Sequence, residues 1–261
     1  MTLQILISTM NQTDHSLLEK MNIQSDAIVV NQCDHNEIVR FTYNGHNILW
    51  MSLNERGVGL SRNTALMRAT ADIILFSDED VKYKDGYAET IKSAFENNQD
   101  ADMLLFDLEA IGEVKHPEKP YTFRRVKWYN SMHYGAVHFA CKREKIYARG
   151  LTFNLLFGGG AKYSCGEDSI FLADALKAGL KVWTVPGHIG FVSHGNSTWF
   201  QGYTDKYFYD KGVLMGNIFG TMAYPVTFIL FLKNRTQTDD YGFIKSVMKA
   251  FEGIKKYDGK N

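Results

Sequence analysis

Short apolar runs that stop abruptly at polar residues constrain this chain more than any other feature. Leu3–Ile7 ends in Ser8-Thr9-Met10-Asn11, Ala27–Val30 ends in Asn31-Gln32, and Ile73–Phe76 ends in Ser77-Asp78-Glu79-Asp80. Ile48–Met51, Met103–Leu108 and Lys181–Val185 have the same character. Between them, Ser16–Met21, Gly57–Thr70, Tyr87–Asn97 and Ser169–Lys177 read as helices, the second from Leu60, Ala65, Leu66 and Ala69 at helical spacing. Continuous apolar strands alternating with helices predict an α/β fold, its mostly parallel central sheet covered on both faces. Ligands of such sheets bind beyond the carboxyl ends of the strands. Ser8-Thr9, Asn31-Gln32 and Asp78-Glu79-Asp80 should therefore meet in one crevice.

Composition removes several alternatives. Lys+Arg and Asp+Glu both number 29, so no overall basic field favours nucleic acid as a partner. The cysteines, Cys33, Cys141 and Cys165, are three and widely spaced. A disulfide framework or zinc site is not expected, and a cytoplasmic, reducing compartment is. Met1-Thr2-Leu3-Gln4 leads into a strand with no signal-peptide pattern. Residues 1–200 read as one domain and 201–261 as a C-terminal helical extension, packed on that domain or lying at a membrane surface. Ile218–Leu232, interrupted by Gly220 and Pro225, is too short and broken for a spanning helix and fits a buried or an interfacial helix. The stretch from 112 to 164 reads as irregular and aromatic.

Two acidic clusters carry chemistry. Asp78 and Asp80 stand at i and i+2 at a strand end, on the same side of an extended chain. Crowded carboxylates repel unless a cation neutralises them. Hard divalent ions share such oxygens with substrate phosphates. The alternative is a solvated acidic turn. Further on, Gly158-Gly159-Gly160 precedes Glu167-Asp168 at a helix start. Acids there suit the helix dipole, which also keeps Asp168 ionised, as a proton acceptor must be. His194 follows another short apolar segment.

Taken in order, Ile7–Asn11, Arg62-Asn63, Phe76–Asp80, Gly166-Glu167-Asp168 and His194 with Ser197-Thr198-Trp199 resemble the family-2 glycosyltransferases, which have the GT-A fold. The resemblance covers about residues 3–200. It implies that Ser8, Thr9 and Arg62 contact a nucleotide, with Asp78 and Glu79 nearby. It puts a Mn2+ or Mg2+ ion on Asp80 and His194. Asp168 becomes the catalytic base, with Glu167 beside it. The implied donor is a UDP-sugar, and the acceptor a glycan or lipid-linked hydroxyl of the kind used in surface polysaccharide synthesis. Apart from the resemblance, Tyr207–Lys211 and the broken apolar segment after it suit peripheral contact at the inner face of a membrane. The family usually carries an acid after its second strand. Here Asn31-Gln32 stand there, with Asp34 slightly later; an amide can both donate to and accept from a base edge. Trp128, Tyr129 and Tyr134 either stack on acceptor sugars or fill the core. The competing readings are a nucleotidyltransferase acting on sugar phosphates and a non-catalytic carbohydrate-binding protein. The first would need a glycine-rich basic loop after the first strand, which Ser8–Gln12 is not.

Overall fold

A computed structural model of the chain describes residues 1–111, 120–193, 202–235 and 241–258. The first half supplies β1 (Leu3–Met10), β2 (Asp26–Gln32), β3 (Glu37–Tyr43), β4 (His46–Leu53) and β5 (Ile73–Asp78). Four of these lie parallel in the order β4-β2-β1-β5, so their carboxyl ends share one edge. The apolar runs are continuous because each strand is buried on both faces. Ile5 and Ile7 pack with Leu17 and Leu18 of α1 (Leu17–Lys20) and with Ile91 and Phe95 of α3 (Tyr87–Asn97). Leu6, one residue away, points to the other face and meets Ala65 and Leu66 of α2 (Val58–Leu66). Phe171 and Leu172 of α5 (Glu167–Lys177) and Ile146 of α4 (Arg143–Tyr147) complete that layer.

Four of the strands are not in the sequence reading, and two of them shape the sheet. β3 pairs antiparallel with β4 through the Asn44-Gly45 turn, and its residues alternate in exposure as an edge strand's do. The second falls within the stretch read as irregular. β9 (Phe139–Lys142) is antiparallel to both neighbours, between β5 and β7 (Met103–Ile111), and its first three residues are fully buried. Four residues, two of them Ala140 and Cys141, are too few to show a periodicity. β10 (Val182–Ser193) runs parallel to β7 and pairs antiparallel with β6 (Val81–Tyr83) and β8 (Arg124–Arg125). Thus β4, β2, β1, β5, β7 and β10 point one way, and β3, β9, β6 and β8 the other.

The C-terminal part is helical: α6 (Asp205–Phe219), α7 (Ala223–Lys233) and α8 (Phe243–Asp258). Val213 and Leu214 of α6 share a core with Phe157, Tyr163 and Ile170, so this part is built onto the loop and helix that carry Glu167 and Asp168. Gly212 lets α8 cross α6 closely, since a Cβ there would lie 1.9 Å from the Ala250 carbonyl oxygen. As one unit, Asp205–Lys233 has the length and apolarity of a membrane-crossing helix, more than the reading of Ile218–Leu232 credited. Its backbone turns at Gly220, with φ 53° and ψ −128°.

Candidate active site

β1 and β5 end together, and their register sets Ser8 beside Asp78. One buried side chain then ties this edge to the start of α5. The Arg62 guanidinium, on α2, donates from Nη2 to both Asp78 oxygens at 2.9 and 3.0 Å and from Nη1 to Glu167 Oε1 at 2.7 Å. Arg62 is only 4% exposed. Burial works against its charge, but Asp78, Glu167 and Asp168 more than offset this and hold it protonated well above the usual arginine range. The two acidic clusters, far apart in sequence, are therefore one construction.

Asp168, one residue past Glu167, has a different environment. Burial and the adjacent Glu167 charge push its carboxyl up to about 6, while Arg62, the Ser169 N–H at 2.6 Å and Lys211 pull the other way. The sequence reading assigned the helix start a stabilising effect on the ionised form; desolvation and like charge outweigh it. The Asp168 carboxylate faces Gly135, whose Cβ position lies 3.6 Å from Oδ2.

The glycine run is a matter of close approach. Gly158 has φ 102°, and a Cβ there would lie 2.7 Å from Glu167 Oε2 and from Val58 Cγ1. Gly159 accepts from the Val58 N–H at 3.0 Å, fastening the loop to the start of α2. From below, buried Asp210 of α6 accepts from the Ser164 N–H and hydroxyl, both at 3.0 Å, and from Lys206 at 2.5 Å. The sequence reading offered Tyr207–Lys211 to a membrane surface. Phe208 and Asp210 are buried instead, as supports for the loop ahead of Glu167.

No family model matches the sequence, and no curated protein matches it either. The fold does match solved structures. TarS of S. aureus, residues 1–349 in complex with UDP-GlcNAc, superposes with a TM-score of 0.62 at 16% identity, over 84% of this chain and 67% of that one. The same fragment with UDP gives 0.60 at 16% identity, over 84% and 66%. Longer TarS gives 0.61 at 15% identity, where this chain spans 40% of it. TarS is a GT-A family-2 glycosyltransferase.

The fold is GT-A.

On this GT-A scaffold the anticipated site residues divide into those presented to a ligand and those used by the protein. Asn31 is fully buried: its amide donates to the Gln12 carbonyl at 2.9 Å and to Ser52 at 3.2 Å, and its carbonyl accepts from the Gln12 N–H at 3.0 Å. Gln32 accepts from the Gly57 N–H at 2.8 Å. Both amides hold loops, where the sequence reading had them touching nucleotide. Arg62 likewise has no surface to offer a diphosphate. Ser8 accepts a hydrogen bond from Ser61 at 3.0 Å. Thr9 donates to Glu79, whose carboxylate also accepts from the Met10 N–H at 3.2 Å and Gln12 Nε2 at 3.0 Å. Glu79 thus pins the β1 loop while remaining exposed, as Asp80 is, whereas Asp78 is half-buried. Tyr134 is buried against Tyr121, which leaves Trp128 and Tyr129 as the exposed aromatics of that group. His194 lies outside the described residues.

The acids at the strand end are neutralised differently from the way the sequence suggested. Arg62 takes Asp78, and the β1 loop takes Glu79. Mg2+-type ions need only one or two protein carboxylates besides substrate phosphates, and Asp80, exposed beside Asp78, fits that donor set. Beyond the ends of β1, β2 and β4 opens a polar cavity of about 430 Å³, lined by Gln12, Asp14, His15, Asp34, His35 and Trp50 among others. At its mouth Cys33, Asp34 and His35 bring a thiol, a carboxylate and a ring nitrogen within 4.8 Å of one another. Sequence reasoning missed Lys211 and Asp210 as parts of the site. Asp210, an acid in an apolar helix four residues after Lys206, was their only local signal.

Proposed function

We propose that this chain is a glycosyltransferase that moves a sugar from a UDP-sugar to a hydroxyl of a glycan or lipid-linked acceptor, with inversion, in surface polysaccharide synthesis. The observation that carries the proposal is the Asp78–Arg62–Glu167 bridge, which holds a strand-end acid and a proton-accepting Asp168 in fixed relation on a GT-A scaffold. The nucleobase enters the cavity of about 430 Å³, where Asp34, the acid after β2, meets its polar edge.

Asp168 accepts the proton of the acceptor hydroxyl as that oxygen attacks the anomeric carbon. The bond from that carbon to the diphosphate breaks, and UDP departs with the bonding pair. One bond formed opposite the one broken inverts the carbon. A base titrating near 6 is ionised at neutral pH yet basic enough to take a proton as the new bond forms. Asp80 and diphosphate oxygens would hold a Mn2+ or Mg2+ ion, with His194 assigned to the same shell by family resemblance; bound there, it neutralises charge on the leaving group. Arg62 is a positioning residue, fixing Glu167 and Asp78 so that base and leaving-group site keep their spacing.

The test is calorimetric titration with a panel of nucleotide sugars, with Mn2+ and with EDTA, followed by metal-dependent hydrolysis of whichever donor binds. Saturable binding of UDP-sugars over other nucleotides supports the proposal; no binding to any nucleotide sugar removes it.

A further inference from the structure

Among the described residues, α7 is covered on one side only. Ala223, Thr227 and Phe231 are buried against the other helices. Pro225, Phe228, Ile229 and Leu232 recur three and four residues apart along the opposite side, and all are exposed. Met222, 57% exposed and just ahead of the helix, extends this stripe. Met222 is also a wall of a second cavity, of about 720 Å³, whose other apolar walls include Trp128, Leu176, Leu180 and Phe219. An uncovered apolar surface therefore runs from that cavity along the outside of α7. A patch of this kind on a globular protein marks an interaction site.

The flanking charges say what covers it. Residues 212–235 contain Lys233 and Arg235 and no acid. At the other end, Arg125, Lys127 and Lys177 line the cavity. The stripe between holds no hydrogen-bonding side chain with which to select a protein groove. Aliphatic side chains in the middle, an exposed tryptophan at the rim and cations at both ends match a lipid interface. There apolar groups enter the acyl boundary while long cationic side chains reach anionic headgroups. The turn at Gly220 lets α7 lie along such a surface while α6 stays inside the protein.

We propose that α7 and the adjoining cavity rim dock the protein flat on an anionic lipid surface. None of the residues assigned above to donor binding or proton transfer takes part, so the two proposals fail separately. α5 links them: Asp168 is in its first turn, and Leu176 and Lys177 line the cavity at its other end, about 14 Å away at the helical rise.

The experiment is co-sedimentation of the full chain with sucrose-loaded vesicles of phosphatidylcholine alone and of phosphatidylcholine with phosphatidylglycerol. The expected result is at least about tenfold stronger partition onto the anionic vesicles, weakened by salt. The variant Phe228→Ser/Ile229→Ser/Leu232→Ser should lower it by about tenfold or more. Lys127→Glu/Lys177→Glu should reduce the preference for anionic over neutral vesicles. Quenching of Trp128 by brominated lipid, absent in Trp128→Phe, reads the same contact with α7 unaltered. Wild-type protein that ignores anionic vesicles overturns the proposal, as does a triple variant that binds like wild type. A concentration-dependent dimer abolished by the triple variant, with vesicles ignored, would assign the face to a second copy of the chain and overturn it equally.

Discussion

The two acidic clusters look alike in sequence and differ in what the fold does with them. At the strand end, two acids have dedicated partners: Asp78 has Arg62, and Glu79 has Thr9, Met10 and Gln12. At the helix start, Glu167 is paired in the same way, but Asp168 is left in a desolvated position beside a like charge and pushed up to about 6. The contrast separates holding from reacting. Paired carboxylates keep their geometry, whereas a poorly compensated one such as Asp168 exchanges a proton near neutral pH.

The largest effect that would break this contrast is on transfer itself. Asp168→Asn should lower kcat by about 10²–10⁴-fold while leaving the donor dissociation constant within about threefold. Single-turnover assays beside calorimetry check it, and equal loss of both quantities would mean that Asp168 holds ligand. Next comes Arg62→Met, which strands Asp78 and Glu167 without their cation. Urea unfolding should show a loss of about 3–5 kcal/mol. A small loss would mean that water compensates the two acids.

The same contrast has a pH signature. Because Asp168 must be ionised to accept a proton, kcat/KM should fall as pH drops below about 6. For stability the sign reverses. Folded Asp168 holds its proton more tightly than an unfolded aspartate, with its ordinary value near 3.8. Its favourable contribution is complete below about pH 4 and is lost as pH rises through about 6. Asp168→Asn should therefore be the more stable protein at pH 7, by about 1–3 kcal/mol, with the gain vanishing in acid; melting curves at both pH values read it. Gly158→Ala should cost about 1–3 kcal/mol, because its Cβ would meet Glu167 and Val58 at a positive φ. The smallest effect belongs to Asp34→Ala at the polar cavity, about threefold weaker nucleotide binding with no change in kcat.

Most of the scaffold was legible in the sequence. The buried strands were visible as apolar runs, α3 matched Tyr87–Asn97, and the residue order through Ser8, Arg62, Asp78 and Asp168 pointed to GT-A. β3 and β9 were not legible, since one alternates weakly at an edge and the other has only four residues. Nor was the use of Asn31, Gln32 and Arg62, whose residue types suit a ligand as well as a neighbouring loop.

The sequence by itself determined where most of the strands and helices form and which acids stand at their ends, because those follow from local periodicity and from where an apolar run stops. Only the tertiary structure decided which of those acids is neutralised and which is left able to take a proton. That depends on a single guanidinium reaching carboxylates from distant parts of the chain at 2.7–3.0 Å, a relation set by packing rather than by any local pattern.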